Sequence, residues 1–225
     1  MHEPISWQWL GLCSYEEALD RQEHAWRTCR TTGVEVCLAL EHPATITFGR
    51  RATAQDVRAS EDELRRRGVA RHATERGGRA TYHAPGQLVL YPIVQVARRG
   101  LGVDRFVTLL EDVMLDVAVC AGLAARRDAR GRGVWTAHGK LGSVGIRVRE
   151  GVSCHGLALN VSLDLSGFDL IAPCGMTDVR MTSLRAEGLP LEIADVLPAA
   201  ERALRRQLGE LGTDLDAEQA LEVRP

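Results

Sequence analysis

The feature that most constrains this chain is a pair of long β-type runs, residues 140–149 and 153–161, separated by little more than Glu150-Gly151. In the first, Val144, Ile146 and Val148 alternate with Ser143, Arg147 and Arg149, the period-two pattern of a strand with one buried face. In the second, His155, Leu157, Leu159 and Val161 share one face, and Cys154, Gly156, Ala158 and Asn160 the other. The short turn brings the second run back along the first. A pair of strands this apolar belongs inside a larger sheet with covering helices.

The remaining segments supply both. Ser14 predicts the N-cap of a helix, with Glu17 closing a capping box and an apolar stripe of Leu19, Ala25 and Trp26 that ends near Cys29. Residues 34–40 predict a central strand, broken by Glu41-His42-Pro43, and residues 45–48 a short strand ended by Gly49. Ser60 caps a charged helix that stops at Gly68, and residues 69–74 predict an edge strand. Residues 88–94 predict a strand in which Pro92 points to an edge position or a bulge. Asp104 predicts the cap of a helix running through Cys120, residues 126–133 a basic hairpin or loop, and residues 191–211 a helix kinked near Pro198. Strands in the middle with helices on the flanks make the class α+β. The length of 225 residues fits a single domain over 1–211, followed by a tail at 212–225.

Composition mainly excludes. A formal charge of −2 argues against general nucleic-acid binding. No run approaches the roughly eighteen apolar residues of a membrane span, and the first residues lack the pattern of a secretory signal. Six cysteines, at 13, 29, 37, 120, 154 and 174, form no C-x-x-C pair, so the expectation is reduced thiols in the cytoplasm.

Candidate chemistry centres on Ile171-Ala172-Pro173-Cys174-Gly175-Met176. Proline restricts the backbone on one side of the cysteine and glycine frees it on the other, which suits a thiol presented at a loop tip; a buried, inert thiol is the alternative. If a strand begins at Lys140, that lysine shares a face with Val144, Ile146 and Val148; if it begins later, Lys140 snorkels from a loop. Buried beside a thiol, an ammonium lowers the thiol pKa. His83, between glycine turns, is a candidate for an orienting role, whereas His155 reads as a hydrogen-bonded core histidine. No ligand spacing supports a metal site. Residues 133–141 superficially resemble a P-loop, but with five residues between the glycines and Leu141 where a hydroxyl must reach magnesium. Two arginine groups, Arg65, Arg66, Arg67 and Arg71, and Arg126, Arg127, Arg130 and Arg132, are either solvated faces or docking patches for an acidic carrier protein.

Taken in order, Glu41-His42-Pro43 with Thr47-Phe48-Gly49-Arg50, Arg76-Gly77-Gly78 with Thr81-Tyr82-His83 and Pro85-Gly86-Gln87, Gly139-Lys140-Leu141 with Gly145, His155-Gly156-Leu157-Ala158-Leu159-Asn160-Val161, and Pro173-Cys174-Gly175 resemble the lipoyl(octanoyl) transferase family. These are octanoyl-[acyl-carrier-protein]:protein N-octanoyltransferases of the biotin/lipoate protein ligase-like superfamily. The resemblance runs from Tyr15 to about Leu184; Ala84, where the family usually has glycine, is a departure. It implies a biotin/lipoate protein ligase-like α+β fold with a mixed or antiparallel central sheet flanked by helices. It implies that Cys174 carries an acyl-thioester intermediate and that Lys140 tunes the thiol. It also implies that Arg76, Gly77, Gly78, Arg79, Ala80, Thr81, Tyr82 and His83 line the acyl site with Ser143, Val144, Gly145, Gly156, Leu157 and Ala158. The expected donor is octanoyl-acyl carrier protein. The expected acceptors are apo lipoyl domains of 2-oxoacid dehydrogenases and the glycine cleavage H protein. No cofactor, metal, nucleic acid or membrane is expected, and the protein is expected to be a cytoplasmic monomer. The alternatives are an ATP-dependent lipoate or biotin ligase-like enzyme and a non-catalytic module that binds lipoyl domains.

Overall fold

A computed structural model of the chain describes residues 4–175 and 179–210, with Cys174 described through its backbone alone. Met176 and the tail at 212–225 lie outside the described residues.

The long hairpin is the middle of the architecture. Strand β9 (Lys140–Arg149) pairs antiparallel with β10 (Val152–Asn160), from Val152↔Arg149 to Leu159↔Gly142. Its turn places Glu150 at φ 49° and Gly151 at φ 80°, the left-handed pair that matches the twist of adjoining strands. On the far edge of β10 lie β6 (Gln87–Ile93), β2 (Val36–Glu41) and β1 (Ser6–Leu12); beyond β9 lie β8 (Gly131–Trp135) and β7 (Arg126–Asp128). This seven-stranded sheet is antiparallel throughout except for the parallel pair β1–β2. A second sheet has β3 (Thr45–Phe48) between β4 (Ala70–Ala73) and β5 (Ala80–His83). The basic segment after residue 126 is the β7–β8 hairpin, and β4 is an edge strand as its pattern predicts.

Each face of the large sheet buries a different set. Cys37, Ala39, Leu88, Leu90, Leu157 and Leu159 pack against helix α3 (Val103–Cys120) and helix α4 (Ile193–Gln207). Val36, Leu38, Leu40, Val89, Tyr91 and Ala158 face helix α1 (Tyr15–Thr32). The small sheet has its own cluster, with Ile46, Tyr82, Phe168 and Ile171 packed on Leu64 of helix α2 (Glu61–Arg66).

Several boundaries differ from the pattern of the sequence. Helix α1 starts as expected, with Glu17 N–H donating to Ser14 Oγ at 3.1 Å, but runs to Thr32 and ends where Gly33 takes φ 83°. Helix α3 is capped by Gly102 rather than Asp104, and α4 passes through Pro198 without a break. Strand β1 has no strong sequence signal, because its residues are largely exposed at the edge. Strand β6 is interior, so Pro92 is not an edge residue. The β6–β10 ladder extends only from Asn160↔Gln87 to Leu157↔Leu90. Beyond it a Cβ on Gly156 would come 2.8 Å from Pro92 Cδ. Ser153 Oγ closes the gap, donating to Pro92 O at 2.7 Å and accepting from Val94 N–H at 2.9 Å. Proline is accommodated because the ladder is already interrupted there. Among the described residues no helix is long and apolar enough to cross a membrane.

Candidate acyl-transfer site

The hairpin pairs Ser143 with Ala158 and Gly145 with Gly156. These positions have small side chains or none, so the sheet surface there is low. The loop before β5 lies over it: Gly77 N–H donates to Ile146 O at 2.8 Å, and a Cβ on Gly145 would meet Arg76 Cδ and Gly77 O at 3.2 Å. Between wall and roof is a slot of about 60 Å³. Arg76, Gly78, Arg79, Ala80, Thr81 and His83 line it from the roof, and Ser143, Val144, Gly145, Gly156, Leu157 and Ala158 from the sheet.

Gly77 and Tyr82, expected among these, do not line the slot. The Gly77 N–H is engaged with Ile146 O. Tyr82 alternates with Thr81 and His83 along β5, so its ring turns into the small-sheet cluster and packs edge-on to Phe168, 5.5 Å between centroids. Ala84 is buried in that cluster too and does not narrow the slot.

Tyr15, Val89, Tyr91 and His155 complete the lining. None of these four has a polarity pattern that separates it from core; they meet only through the packing of α1 on the sheet. Tyr15, Tyr91 and His155 belong to a buried aromatic cluster. His42 lies between Tyr15 and His83, at 5.2 and 5.5 Å centroid separation, and Tyr91 meets His155 edge-on at 6.1 Å. Burial holds the His42 and His155 imidazoles down at about 4, and holds His83 well below its ordinary range. The slot face is therefore uncharged at its histidines at neutral pH. Arg76 is buried beside them, donating to Thr47 O at 2.6 Å and to Thr47 Oγ1 at 2.8 Å.

His83 is fixed rather than free. Gln87 Nε2 donates to Tyr82 O at 3.2 Å and to Asn160 Oδ1 at 2.9 Å, which leaves Gln87 Oε1 to accept from His83 Nδ1 at 2.6 Å. Asn160 Nδ2 donates onward to Thr182 O, and Thr182 N–H to Lys140 O at 3.0 Å. A continuous polar chain thus links the slot to the start of β9.

Strand β9 does begin at Lys140, and the side chain is 1% exposed, with Nζ 5.3 Å from the Trp135 ring centroid. Lys140 does not itself line the slot. Cys174 sits in a 3₁₀ turn, Pro173–Gly175. The segment before this turn pairs Ile171 with Val57, and the segment after it pairs Met181 with Lys140. Arg79, from the slot roof, packs on Gly175, where a Cβ would come 2.4 Å from Arg79 Cδ. Arg79 is anchored by the buried Asp56 carboxylate at 2.9 Å. The position of the Cys174 side chain lies outside the described residues. An open groove of about 580 Å³ flanks the turn, lined by Pro173, Val179, Arg180 and Met181 among others. Elsewhere burial pushes the Cys13 and Cys154 thiols up to about 11 and Cys29 to about 12, the protonated state of inert thiols.

Members of both arginine groups pair with carboxylates of the chain itself. Arg67 pairs with Glu63 at 3.0 Å, Arg127 with Glu111 at 3.0 Å and Arg130 with Asp128 at 2.8 Å; Arg65 and Arg71 pair with Asp62 and Glu61. Their charge is largely matched within the chain. The P-loop-like stretch spans strands β8 and β9, with no helix to receive a phosphate.

Residues 14–205 match the family model of the lipoyl protein ligase A/B catalytic domain. The chain is 45% identical over 208 residues to the octanoyltransferase of Chloroflexus aurantiacus, covering 90% of this chain and 92% of that protein. It is 36% identical over 201 residues to the mitochondrial octanoyltransferase LIP2 of Arabidopsis thaliana, covering 88% and 83%. Among solved structures, a lipoate-protein ligase A bound with ATP superimposes with TM-score 0.73 at 15% identity, over 92% of this chain and 86% of that one. A bipartite lipoate protein ligase from Thermoplasma acidophilum, described with its E2 lipoyl domain, gives 0.69 at 16% identity, over 91% and 84%. At such identities the likeness is one of fold, and it agrees with the α+β class.

Proposed function

The chain is an acyltransferase belonging to the octanoyltransferase branch of the lipoyl protein ligase A/B catalytic family, and from that premise we propose a two-step transfer through Cys174. The Cys174 thiolate attacks the thioester carbonyl of octanoyl-acyl carrier protein. A C–S bond to Cys174 forms, the C–S bond to the carrier breaks, and the departing carrier thiolate takes a proton from the Lys140 ammonium, which leaves a neutral amine for the second step. Thioester replaces thioester, so this step is nearly isoenergetic. A lysine amine of an apo lipoyl domain, as in 2-oxoacid dehydrogenases or the glycine cleavage H protein, then attacks the acyl-enzyme. The C–N bond forms, the bond to Cys174 breaks, and the amine proton passes to Lys140 or to the departing sulfur. Amide replaces thioester, which is downhill and needs no nucleotide.

The observation that carries this reading is the placement of the Pro173–Gly175 turn. Its flanks are tied to Val57 and to Lys140, and Arg79 joins it to the slot roof. The backbone of the turn is thereby joined to the slot roof, and the chain that follows it is joined to the start of β9. Lys140, desolvated beside Trp135, stabilises the thiolate. The oxyanion is assigned to backbone N–H groups at Gly78 or along residues 143–145, since the Gly77 N–H is occupied. The groove beside Pro173 is where both protein substrates present their reacting atoms.

Intact-mass spectrometry tests the proposal. Incubation with octanoyl-acyl carrier protein, without ATP, is expected to add one octanoyl group, lost in Cys174→Ser. A requirement for ATP with pyrophosphate release, or an adduct that survives Cys174→Ser, overturns it.

A further inference from the structure

The slot and a second cavity share one lining side chain. Along the hairpin Lys140 comes first, Ser143↔Ala158 and Gly145↔Gly156 wall the slot, and Ile146↔His155 is the next pair. From Lys140 to Ile146 the strand advances about 20 Å, a span that a lysine side chain, a thioester and a medium acyl chain fill together. His155 also borders a second cavity of about 180 Å³, whose walls include Leu19, Thr74, Arg147 and Cys154. Among the described residues it is the one side chain common to both cavities.

Its conformation is unusual for such a place. His155 takes φ 59° in mid-strand, a left-handed backbone that residues other than glycine adopt at a cost and that tends to mark functional positions. The surroundings impose it. Its N–H donates to Gln22 Oε1 of α1 at 2.7 Å, where the β6–β10 ladder is interrupted. The ring stands edge-on to Tyr91, and its Nδ1 has no hydrogen-bond partner among the described residues. The edge-on contact with Tyr91 fixes the side of the strand on which the ring lies.

We infer that His155 is the specificity-determining wall that stops the acyl chain at medium length, and that without its ring the slot continues into the second cavity. This rests on the slot being the acyl site of the transfer above. A slot of about 60 Å³ has room for roughly four to six water-sized groups, which suits the distal part of a medium chain and no more. The second cavity provides a continuation, where the aliphatic stem of Arg147 and the Leu19 side chain offer apolar surface.

The test compares octanoyl- and dodecanoyl-acyl carrier protein as donors for wild type, His155→Gly and His155→Asn. Glycine accepts the left-handed backbone and removes the ring; asparagine tolerates that backbone and shortens the side chain. Wild type is expected to prefer octanoyl by at least about tenfold in kcat/KM, the scale of steric discrimination in an apolar pocket. His155→Gly is expected to bring the ratio to within about threefold of unity, and His155→Asn to an intermediate value. Thermal shift by free octanoate and dodecanoate reads the same preference without chemistry, so a folded but slow variant still reports, and His155→Asn reports if the glycine variant does not fold. Octanoyl transfer with unchanged rejection of dodecanoyl in both variants overturns the inference, as does a wild type indifferent to chain length. Loss of octanoate binding and octanoyl transfer in wild type instead overturns the assignment of the slot.

Discussion

The two faces of the seven-stranded sheet are built from the same strands and do different work. Toward α3 and α4 the residues are apolar and mostly aliphatic, with Phe106, Leu110, Met114 and Leu159 buried almost completely. Toward α1 the same strands carry Tyr91 and His155, and the adjoining elements add Tyr15, His42, His83 and Arg76. The first face is a continuous apolar cluster. The second keeps a slot open and retains polar groups that each need an orienting partner. What differs is how each contributes: one face provides stability by apolar burial, and the other spends part of it on a pre-organised site.

The contrast is testable. The largest expected effect is on the aliphatic face. Phe106→Ala is expected to cost about 3–5 kcal/mol in denaturant unfolding, since the ring is fully buried and the cavity cannot collapse; a cost below about 1 kcal/mol would show that this face is loosely packed. Next is pH, which acts on the other face. His42 and His155 are neutral when folded, with values of about 4, and rise to the ordinary 6.5 when the chain unfolds. Between these values the unfolded chain binds more protons, so stability falls as pH drops from 6.5 to about 4 and is recovered above 6.5. The limiting slope is about 1.4 kcal/mol per pH unit for each histidine. Melting temperatures across that range check it, and His42→Gln is expected to flatten the curve; a profile unchanged by His42→Gln would assign the acid sensitivity elsewhere. The smallest effect lies off both faces. Arg71→Ala removes an exposed pair with Glu61 and is expected to change stability by less than about 1 kcal/mol, with no change in the salt dependence of octanoyl transfer from the proposed carrier-protein donor. A changed salt dependence would restore that arginine group as a docking patch.

The parts of this picture legible in the sequence are those governed by local rules. The Glu150-Gly151 turn and the alternation on either side identify the central hairpin, because turn chemistry and side-chain period act over a few residues. Ser14 and Ser60 cap their helices as their spacing predicts. Cys174, between proline and glycine, stands out for the same reason. Asp104 misled because Gly102 caps that helix by conformation, without a side chain to announce it. Of the two alternatives for Pro92, the edge position fails, because β6 is interior and tolerates proline where a neighbour has already stepped away. That step, at His155 and Gly156 with Ser153 bridging the gap, is a property of three strands together.

The site divides along the same line. Most of the slot is named by motif, yet Tyr82 leaves it through the alternation of β5, and Gly77 is occupied by Ile146. Whether Lys140 is buried depended on a strand boundary that parity alone left open, and the pairing with Met181 settles it. By itself the sequence determined the hairpin and the thiol-bearing turn, since each is written in consecutive residues. Only the tertiary structure decided which histidines stay neutral, which side chains share a cavity, and that His155 stands between two of them. Burial and adjacency are set by segments far apart in the chain, and no local pattern encodes them.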